Sequence, residues 1–482
     1  MASKDDAPER RDRDRKEGRN SPDSRSSRLV HLNFRRRPSR KFPSKSELRV
    51  LLLQGPVGPF FKKAQAHLNA NGFDAWRVCF NAGDRLFSRS EKTLNFSGSR
   101  DAWQAWFSEF VIENAFDYVV LFGCERVAHR VAIDCCHENG IPVLCLEEGY
   151  LRPGYVTMEF GGNNWRSPIA GQLAPEKISA SSRDSGKVTA YPSSFGAMAT
   201  FAFLYFSVRG LFSTVSERKL FHKQKRTLVS EGFYWLKNYY RKFRNLGHNY
   251  RLVERLLEDH DNRYFLIPLQ VHDDSQLGQA AGSWNNQKLI LKSIVSFARN
   301  APPGYQLVFK IHPMERGHSR DGHFIRQVSA LNNVAERVHI LDGGSMGLLT
   351  RHAAGMVTIN STSGLSAIFH GVPLAVMGHA IYRNPELAFC VRKGIELDEF
   401  WTGGKTASYE VRRNYLSWLT RESLQAGDFY VRDGMELATA AVLELLKGKA
   451  EKKSQSVPVP AAPARDRVVT EFPPGRATRT RT

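Results

Sequence analysis

The feature that most restricts this chain is an alternation. Short, almost wholly apolar runs ending in glycine or a polar residue are followed repeatedly by stretches with helical spacing. "LRVLLLQG", starting at Leu48, precedes "PVGPFFKKAQAHLNANG", whose spacing predicts a helix closed by Gly72. "DAWRVCFNAGDRLF" reads as a second strand with a Gly-Asp loop, and a helix with Trp103, Trp106 and Phe110 on one face comes next. Then follow the strand "YVVLFG", a helix from about Glu125 to Asn139, and the strand "IPVLCLEEG". After a polar and then helical stretch, about 170–260, the pattern restarts with "RYFLIPLQ", a helix over Asn286 to Arg299, "YQLVFKIHP", "RVHILDG", "GMVTIN" and "PLAVMG". Runs apolar on both faces are strands of a buried parallel sheet, so the fold class is α/β with two Rossmann-like halves. No sequence repeat relates the halves. Facing each other across a cleft, they give the GT-B-like arrangement, with ligands at the carboxyl ends of the strands.

A chain of 482 residues suits two domains plus ends. Its net charge of +21 suggests a nucleic-acid binder until the charge is located. Residues 1–49 hold 16 Lys and Arg against 8 Asp and Glu, and residues 447–482 hold 9 against 3. These two ends therefore carry +14 of the +21, and no nucleic-acid partner is expected. Both are Arg-, Ser- and Pro-rich with few large apolar residues, which predicts disorder. The boundaries read as a basic tail over 1–47, an N-terminal Rossmann-like domain over 48–250 with a helical insertion, a C-terminal one over 251–445, and a second basic tail over 446–482. Six cysteines without a CxxC pair or zinc spacing predict buried thiols in a reducing compartment. The opening residues are charged and lack the apolar core of a secretory signal. "ATFAFLYFSV", Ala199 to Val208, is too short to span a bilayer and is read as a buried helix in preference to an interfacial one.

The candidate site residues all fall just after expected strands. "QGPVGPFF" places Gln54, Gly55 and Gly58 in a βα turn, which either admits a substrate to the backbone or is simply tight; it matches neither a P-loop nor GxGxxG. Asn81 and Asp84 follow the second strand, as cap or as ligand contacts. "LEEGYLRP" puts Glu147 and Glu148 at the end of an apolar strand with Arg152 close by. Adjacent carboxylates are expected to raise at least one pKa, which suits proton exchange near neutrality. "PLQVHDDSQL" offers Gln270, His272, Asp273, Asp274 and Gln276, read as substrate or cleft contacts rather than metal ligands. "FKIHPMERG" delivers Lys310 and His312 to a strand tip, where a fixed histidine can bind or protonate a phosphate. In "INSTSGLSAIFHG", Asn360, Ser361, Thr362, Ser363 and Gly364 open a helix, and hydroxyls beside free N–H groups suggest an anion.

Taken together and in order, "LLLQGPVGPFF", "FNAGDRLF", "EEGYLRP", "PLQ", "KIHP" and "NSTSGLSAIFHGVPLAVMG" resemble the capsule polysaccharide synthesis and export family, of which KpsS and LipB are members; the likeness spans about Leu48 to Leu387. The resemblance implies a retaining β-Kdo glycosyltransferase of Gram-negative bacteria that needs no metal or other cofactor. Such enzymes move Kdo from CMP-Kdo to a (lyso)phosphatidylglycerol acceptor and so begin the linker of a capsular polysaccharide. It also implies a cytoplasmic protein held peripherally at the inner membrane, with other capsule proteins as possible partners. The "HP" and "ST" signatures are similar to those of bacterial sialyltransferases, which implies that His312 contacts the CMP phosphate and that Ser361 to Ser363 cradle it. The acidic-acidic-glycine triplet falls on Glu147, Glu148 and Gly149, with Glu148 the favoured catalytic carboxylate, its role as base or nucleophile open. The competing expectations are a non-catalytic capsule assembly or export factor and a sugar-nucleotide epimerase of the same fold.

Overall fold

The computed structural model describes residues 48–88, 90–175, 194–221, 228–271, 277, 279–316 and 319–455. Its first sheet contains β1 (Leu48–Leu52), β2 (Phe73–Cys79), β3 (Thr93–Asn95), β4 (Tyr118–Phe122), β5 (Val143–Glu148) and β6 (Tyr155–Phe160). The second contains β7 (Tyr264–Pro268), β8 (Gln306–Lys310), β9 (Val338–Leu341), β10 (Gly355–Thr358), β11 (Leu374–Val376) and β12 (Phe389–Cys390). A last strand, β13 (Leu424–Ala426), returns to the first sheet. The orders are β13-β6-β5-β4-β1-β2-β3 and β12-β11-β10-β7-β8-β9. The second sheet is parallel throughout, with the doubly wound order and a switch point between β7 and β10. In the first, β1 to β5 are parallel, and β6 runs antiparallel to both β5 and β13. Two Rossmann-like units in one chain make the fold GT-B-like.

The apolar runs behave as buried parallel strands must. Along β7, Phe265 and Ile267 join a core with Ile294, Phe297 and Trp401, while Tyr264 and Leu266 join one on the opposite face with Leu365 and Trp418. The latter core also takes in Tyr150, from the loop after β5, so apolar packing links the two units. Hydrogen bonds join them as well: Ile381 N donates to Asn164 Oδ1 at 2.9 Å, and Asn384 Nδ2 to the Gly171 carbonyl at 2.9 Å.

Four sequence expectations change here. The helix Leu246–Glu258 crosses residue 250 and buries Leu252 and Leu256 with the second sheet, so that unit begins earlier than 251. At the other end, β13 and the helix Arg432–Gln455 belong with the first sheet, where Phe429, Met435, Val442 and Leu446 pack against Val50, Phe60 and Leu146. That helix also runs past 446, since Lys, Ala and Glu sustain a helix even where they read as a solvated charge run. The apolar segment around Ala199–Val208 lies in the helix Phe195–Phe212, and only Tyr205 of that helix is buried. A narrow stripe holds it: Phe201 lies against Gly58, and Tyr205 enters a polar cluster. Ala197 and Met198 also pack against the first core, whereas Phe195, Phe203, Leu204, Phe206, Leu211 and Phe212 are exposed. Five cysteines are buried and Cys390 is half-buried, all as free thiols.

Candidate functional site

At the carboxyl end of the first sheet, Gln54, Asn81 and Asp84 come together around Tyr205. Its hydroxyl accepts from Gln54 Nε2 at 2.9 Å and Asn81 Nδ2 at 3.0 Å, and donates to Asp84 Oδ1 at 3.0 Å. The second Asp84 oxygen accepts from Phe80 N at 2.9 Å. Asn81, not Asp84, is the helix cap, its Oδ1 accepting from Asp84 N at 3.1 Å. These side chains are thus engaged with one another, and burial drives the Tyr205 hydroxyl pKa upward. The glycines of the turn are packing glycines. A Cβ on Gly55 would stand 2.7 Å from the Phe61 ring, and Gly58 has φ +110° with Phe201 at 2.9 Å from the same point. Arg126, which the sequence reading passed over, donates to Gln54 Oε1 and the Gly55 carbonyl, each at 3.2 Å. Burial lowers its pKa, while Tyr205, Asp84, Tyr430 and Glu147 around it act in the opposite direction.

The paired glutamates do not act as a pair. On strand β5 neighbouring side chains point to opposite faces. Glu147 adds to burial in pushing up the Cys124 thiol and the Tyr150 phenol. Glu148 lies on the side of Arg152 and Tyr430. Its carboxyl pKa is raised, by burial first, with Arg152 and Tyr430 opposing and Asp428 assisting; Glu147 plays no part. The expected mutual repulsion is therefore replaced by desolvation. Arg152 Nη1 stands 3.7 Å from Glu148 Oε2, and the buried Oε1 accepts no hydrogen bond. A Cβ on Gly149 would run into the Tyr155 carbonyl, so the third member of the triplet is required by the hairpin between β5 and β6. Tyr430 and Asp428 arrive with the returning segment after β13, a placement that no local pattern announces.

At the end of the second sheet, the β8 tip presents His312. Met314 N donates to its Nδ1 at 3.3 Å, which makes Nδ1 the acceptor and leaves Nε2 to carry the proton of the neutral ring. Partial desolvation in the cleft, and then Lys310, Arg152 and Arg316, hold its pKa below the ordinary value against the pull of Glu315. Lys310 donates to the Gly343 carbonyl at 2.8 Å, and burial lowers its pKa to about 8. In the serine turn, Ser363 N and Oγ both donate to Ser361 Oγ, at 3.3 and 2.8 Å. Thr362 sits at the cap of the helix Ser363–His370, and its side chain makes no capping bond. Tyr382 braces the turn by donating to the Ser361 carbonyl, and a Cβ on Gly364 would collide with its ring. The Asn360 side chain is buried beneath the turn. Gln270 is buried too, its carbonyl accepting from Asn286 Nδ2 at 2.7 Å.

The structure thus brings Glu148, Arg152 and His312 to one cleft, with Arg152 electrostatically in touch with the other two. It sets Glu147 on the other face and ties Gln54, Asn81 and Asp84 into a brace. His272, Asp273, Asp274 and Gln276 lie outside the described residues. Among the described residues no group of three or more His, Cys, Asp and Glu is placed to hold a metal. Beside the His312 turn is a cavity of about 760 Å³. It is lined by Lys237, Arg241, Arg244, Arg316, Arg320 and Arg326, with Glu315 and Asp342 as its acidic members. Sequence reading missed it because its wall combines the helix Leu228–Arg244 with turns more than 70 residues away, as where Asn238 Nδ2 donates to the Met314 carbonyl at 2.9 Å.

Two doubly wound units, with a carboxylate, a histidine and a hydroxyl turn at their strand tips, define a GT-B-like α/β protein. The family is set by comparison: residues 117–430 match the model of the capsule polysaccharide biosynthesis protein family, and the chain belongs to that family. It is similar to the capsule polysaccharide export protein KpsS of Escherichia coli, 33% identical over 77% of this chain and 94% of that protein. It is also similar to the capsule polysaccharide modification protein LipB of Neisseria meningitidis serogroup A, 30% identical over 79% of this chain and 91% of the relative. Solved structures that resemble it at 13% identity include the β-Kdo 2,7 transferase KpsC of Thermosulfurimonas dismutans, with a TM-score of 0.35 and coverage of 83% and 100%. Another, also at 13%, is the UDP-GlcNAc 2-epimerase of Neisseria meningitidis, with a TM-score of 0.31 and the same coverage.

Proposed function

We propose that the protein is a glycosyltransferase that moves Kdo from CMP-Kdo to a (lyso)phosphatidylglycerol acceptor, with retention, starting the linker of a capsular polysaccharide at the inner face of the membrane. Family membership supports a role in capsule synthesis, and the motif resemblance supports the donor. The observation that carries the reading is the cleft arrangement of Glu148, Arg152 and His312, a carboxylate and an imidazole linked through one guanidinium. A scaffold has no need of it.

In this reading the bond between the anomeric carbon and the CMP phosphate oxygen breaks, and the electron pair leaves with the phosphate. The Nε2–H of His312, the hydroxyl of Thr362 and the N-terminus of the helix Ser363–His370 meet that charge. Such donors stabilise a departing phosphate without a resident cation. The acceptor hydroxyl oxygen bonds to the anomeric carbon and its proton passes to a carboxylate. With retention, Glu148 serves that centre either as a nucleophile that is displaced in turn, two inversions in succession, or as a base to an acceptor that enters on the face the phosphate leaves; a sugar adduct trapped on Glu148 would identify the first course.

The test is transfer in vitro: purified protein with CMP-Kdo and a fluorescent lysophosphatidylglycerol, in the presence and absence of EDTA, beside Glu148→Gln and His312→Ala. The expected result is a mass gain of one Kdo that survives EDTA and is lost in both variants. Transfer that survives in Glu148→Gln would leave the carboxylate without its role. Absence of both product and CMP binding would overturn the enzyme in favour of an assembly or export factor.

A further inference from the structure

We infer that the helix Phe195–Phe212 and the outward face of the helix Leu228–Arg244, continued by Leu246 and Tyr250, form a bilayer-docking surface for anionic lipid. The helix Phe195–Phe212 leaves Phe203, Leu211 and Phe212 exposed at 72%, 69% and 71%. It contains no carboxylate, and its one charge is Arg209. By length and composition its 18 residues are enough to cross a bilayer, so what decides is how the helix is held. Its midpoint is fastened to the folded unit by Tyr205. A helix pinned at its centre cannot cross a bilayer but can lie in its interface, apolar side down.

The second helix, Leu228–Arg244, is amphipathic in the unusual sense. Asn238 points inward to the Pro313 and Met314 carbonyls, and Lys237 and Arg241 line the cationic cavity. Phe233, Leu236, Tyr240 and Phe243, at steps of three and four, face outward, with Leu236 and Phe243 at 71% and 67% exposure. Leu246 and Tyr250 extend the exposed apolar row onto the next helix. An outward apolar stripe of this extent marks a contact surface. The first helix sits on the first unit and the second on the other, each beside the strand tips that build the cleft.

Charge selects the occupant. Arg209 is half-buried and donates to the Arg218 carbonyl at 2.8 Å, so the charge comes from the second helix, with Lys237, Arg241, Lys242 and Arg244 against Glu231. A second copy docking by the same face would set these cations against themselves. An anionic bilayer complements them: the exposed Lys242 and Arg244 meet headgroups beside the apolar row, and Lys237 and Arg241 line the cavity next to it. The cationic cavity then opens where a phosphate-bearing headgroup would enter. The inference deepens the acceptor side of the proposed function, but docking is read without any donor sugar, so it fails or stands independently of transfer.

The experiment is flotation of the full chain with vesicles of phosphatidylcholine alone and of phosphatidylcholine with phosphatidylglycerol. The variants are Phe203→Ser with Phe212→Ser, Leu236→Ser with Phe243→Ser, and Lys237→Glu with Lys242→Glu. Wild type is expected to float with the anionic vesicles only, and high salt should release it. Each pair should lower the bound fraction about tenfold or more. Thermal unfolding should be unchanged, because every replaced side chain lies outside the buried core. Equal binding by all variants, or equal binding to neutral vesicles, would overturn the inference. So would a wild-type dimer that the apolar variants render monomeric while no vesicle binding occurs, which would assign the face to a second copy.

Discussion

At the scale of single residues, the site turns on Glu148. Burial raises its pKa and Arg152 opposes the rise. If the carboxylate form is needed, transfer falls as pH drops through that raised value, so the acid limb of the rate profile lies above the ordinary carboxyl range. Arg152→Ala removes the opposing charge and is expected to shift that limb to higher pH. The same change removes a cation that depresses His312, so the imidazole titration followed by NMR should rise with it. Movement of neither would break the electrostatic link across the cleft. Glu148→Gln is expected to cost about 10²-fold or more in rate. It should also stabilise the fold at neutral pH. In the window between the unfolded and the raised folded pKa the native state binds more protons, so stability falls as pH rises through it. A neutral amide escapes that loss, and its advantage should fade as pH falls back through the window. Urea midpoints at neutral and mildly acidic pH measure this directly. That both glutamates stand at the end of a buried strand beside Arg152 was legible. That the cause is burial and not the neighbouring carboxylate was not, because strand alternation separates side chains that sequence places side by side.

At the scale of elements, the serine turn shows why a motif is half of a site. Its hydroxyls were readable at once as a helix start, and so was the strand before them. What fixes the turn is Tyr382, whose hydroxyl reaches the Ser361 carbonyl over a gap that only Gly364 leaves open. Gly364→Ala would displace the Tyr382 ring, a buried overpacking costing about 1–3 kcal/mol, and should weaken CMP binding together with stability. Thr362→Ala, at a side chain that makes no capping bond, should weaken CMP binding alone. Calorimetric titration with CMP beside thermal melts distinguishes them. A Gly364→Ala protein that melts early yet binds CMP normally would show that the turn is not the phosphate site. The helix Phe195–Phe212 teaches the converse. Its composition suggested a buried element, yet burial depends on which face finds a partner, and only the face with Ala197, Met198, Phe201 and Tyr205 does.

At the scale of the whole molecule, the alternation of strands and helices made both Rossmann-like units legible, because doubly wound strands are apolar on each face. The chain's return was hidden. β13 has three residues, and its pairing with β6, Leu424 opposite Thr157, is a contact across more than 260 positions that no local pattern encodes. Yet this return completes both the first core and the site. Phe429, Met435, Val442 and Leu446 cover the apolar face of the first sheet, and Tyr430 stands against Glu148. Each buried side chain of that size contributes about 1.5–3 kcal/mol of transfer free energy, so their joint loss equals much of the ~5–15 kcal/mol stability of an ordinary domain. A chain ended at Ser423 should therefore be insoluble or melt as an expanded state, although every motif from Gln54 to Gly378 is present in it. Ending the chain at Gln455 retains every core contact named here and should leave the melting temperature within a few degrees of the full chain. Between these extremes Tyr430→Phe removes only the hydroxyl at Glu148. Tyr430 opposes the rise of that carboxyl, so its loss should move the acid limb of transfer upward with little change in stability. If the Ser423 truncation folded and transferred sugar, the first unit would stand without its returning segment, and Tyr430 would drop out of the site.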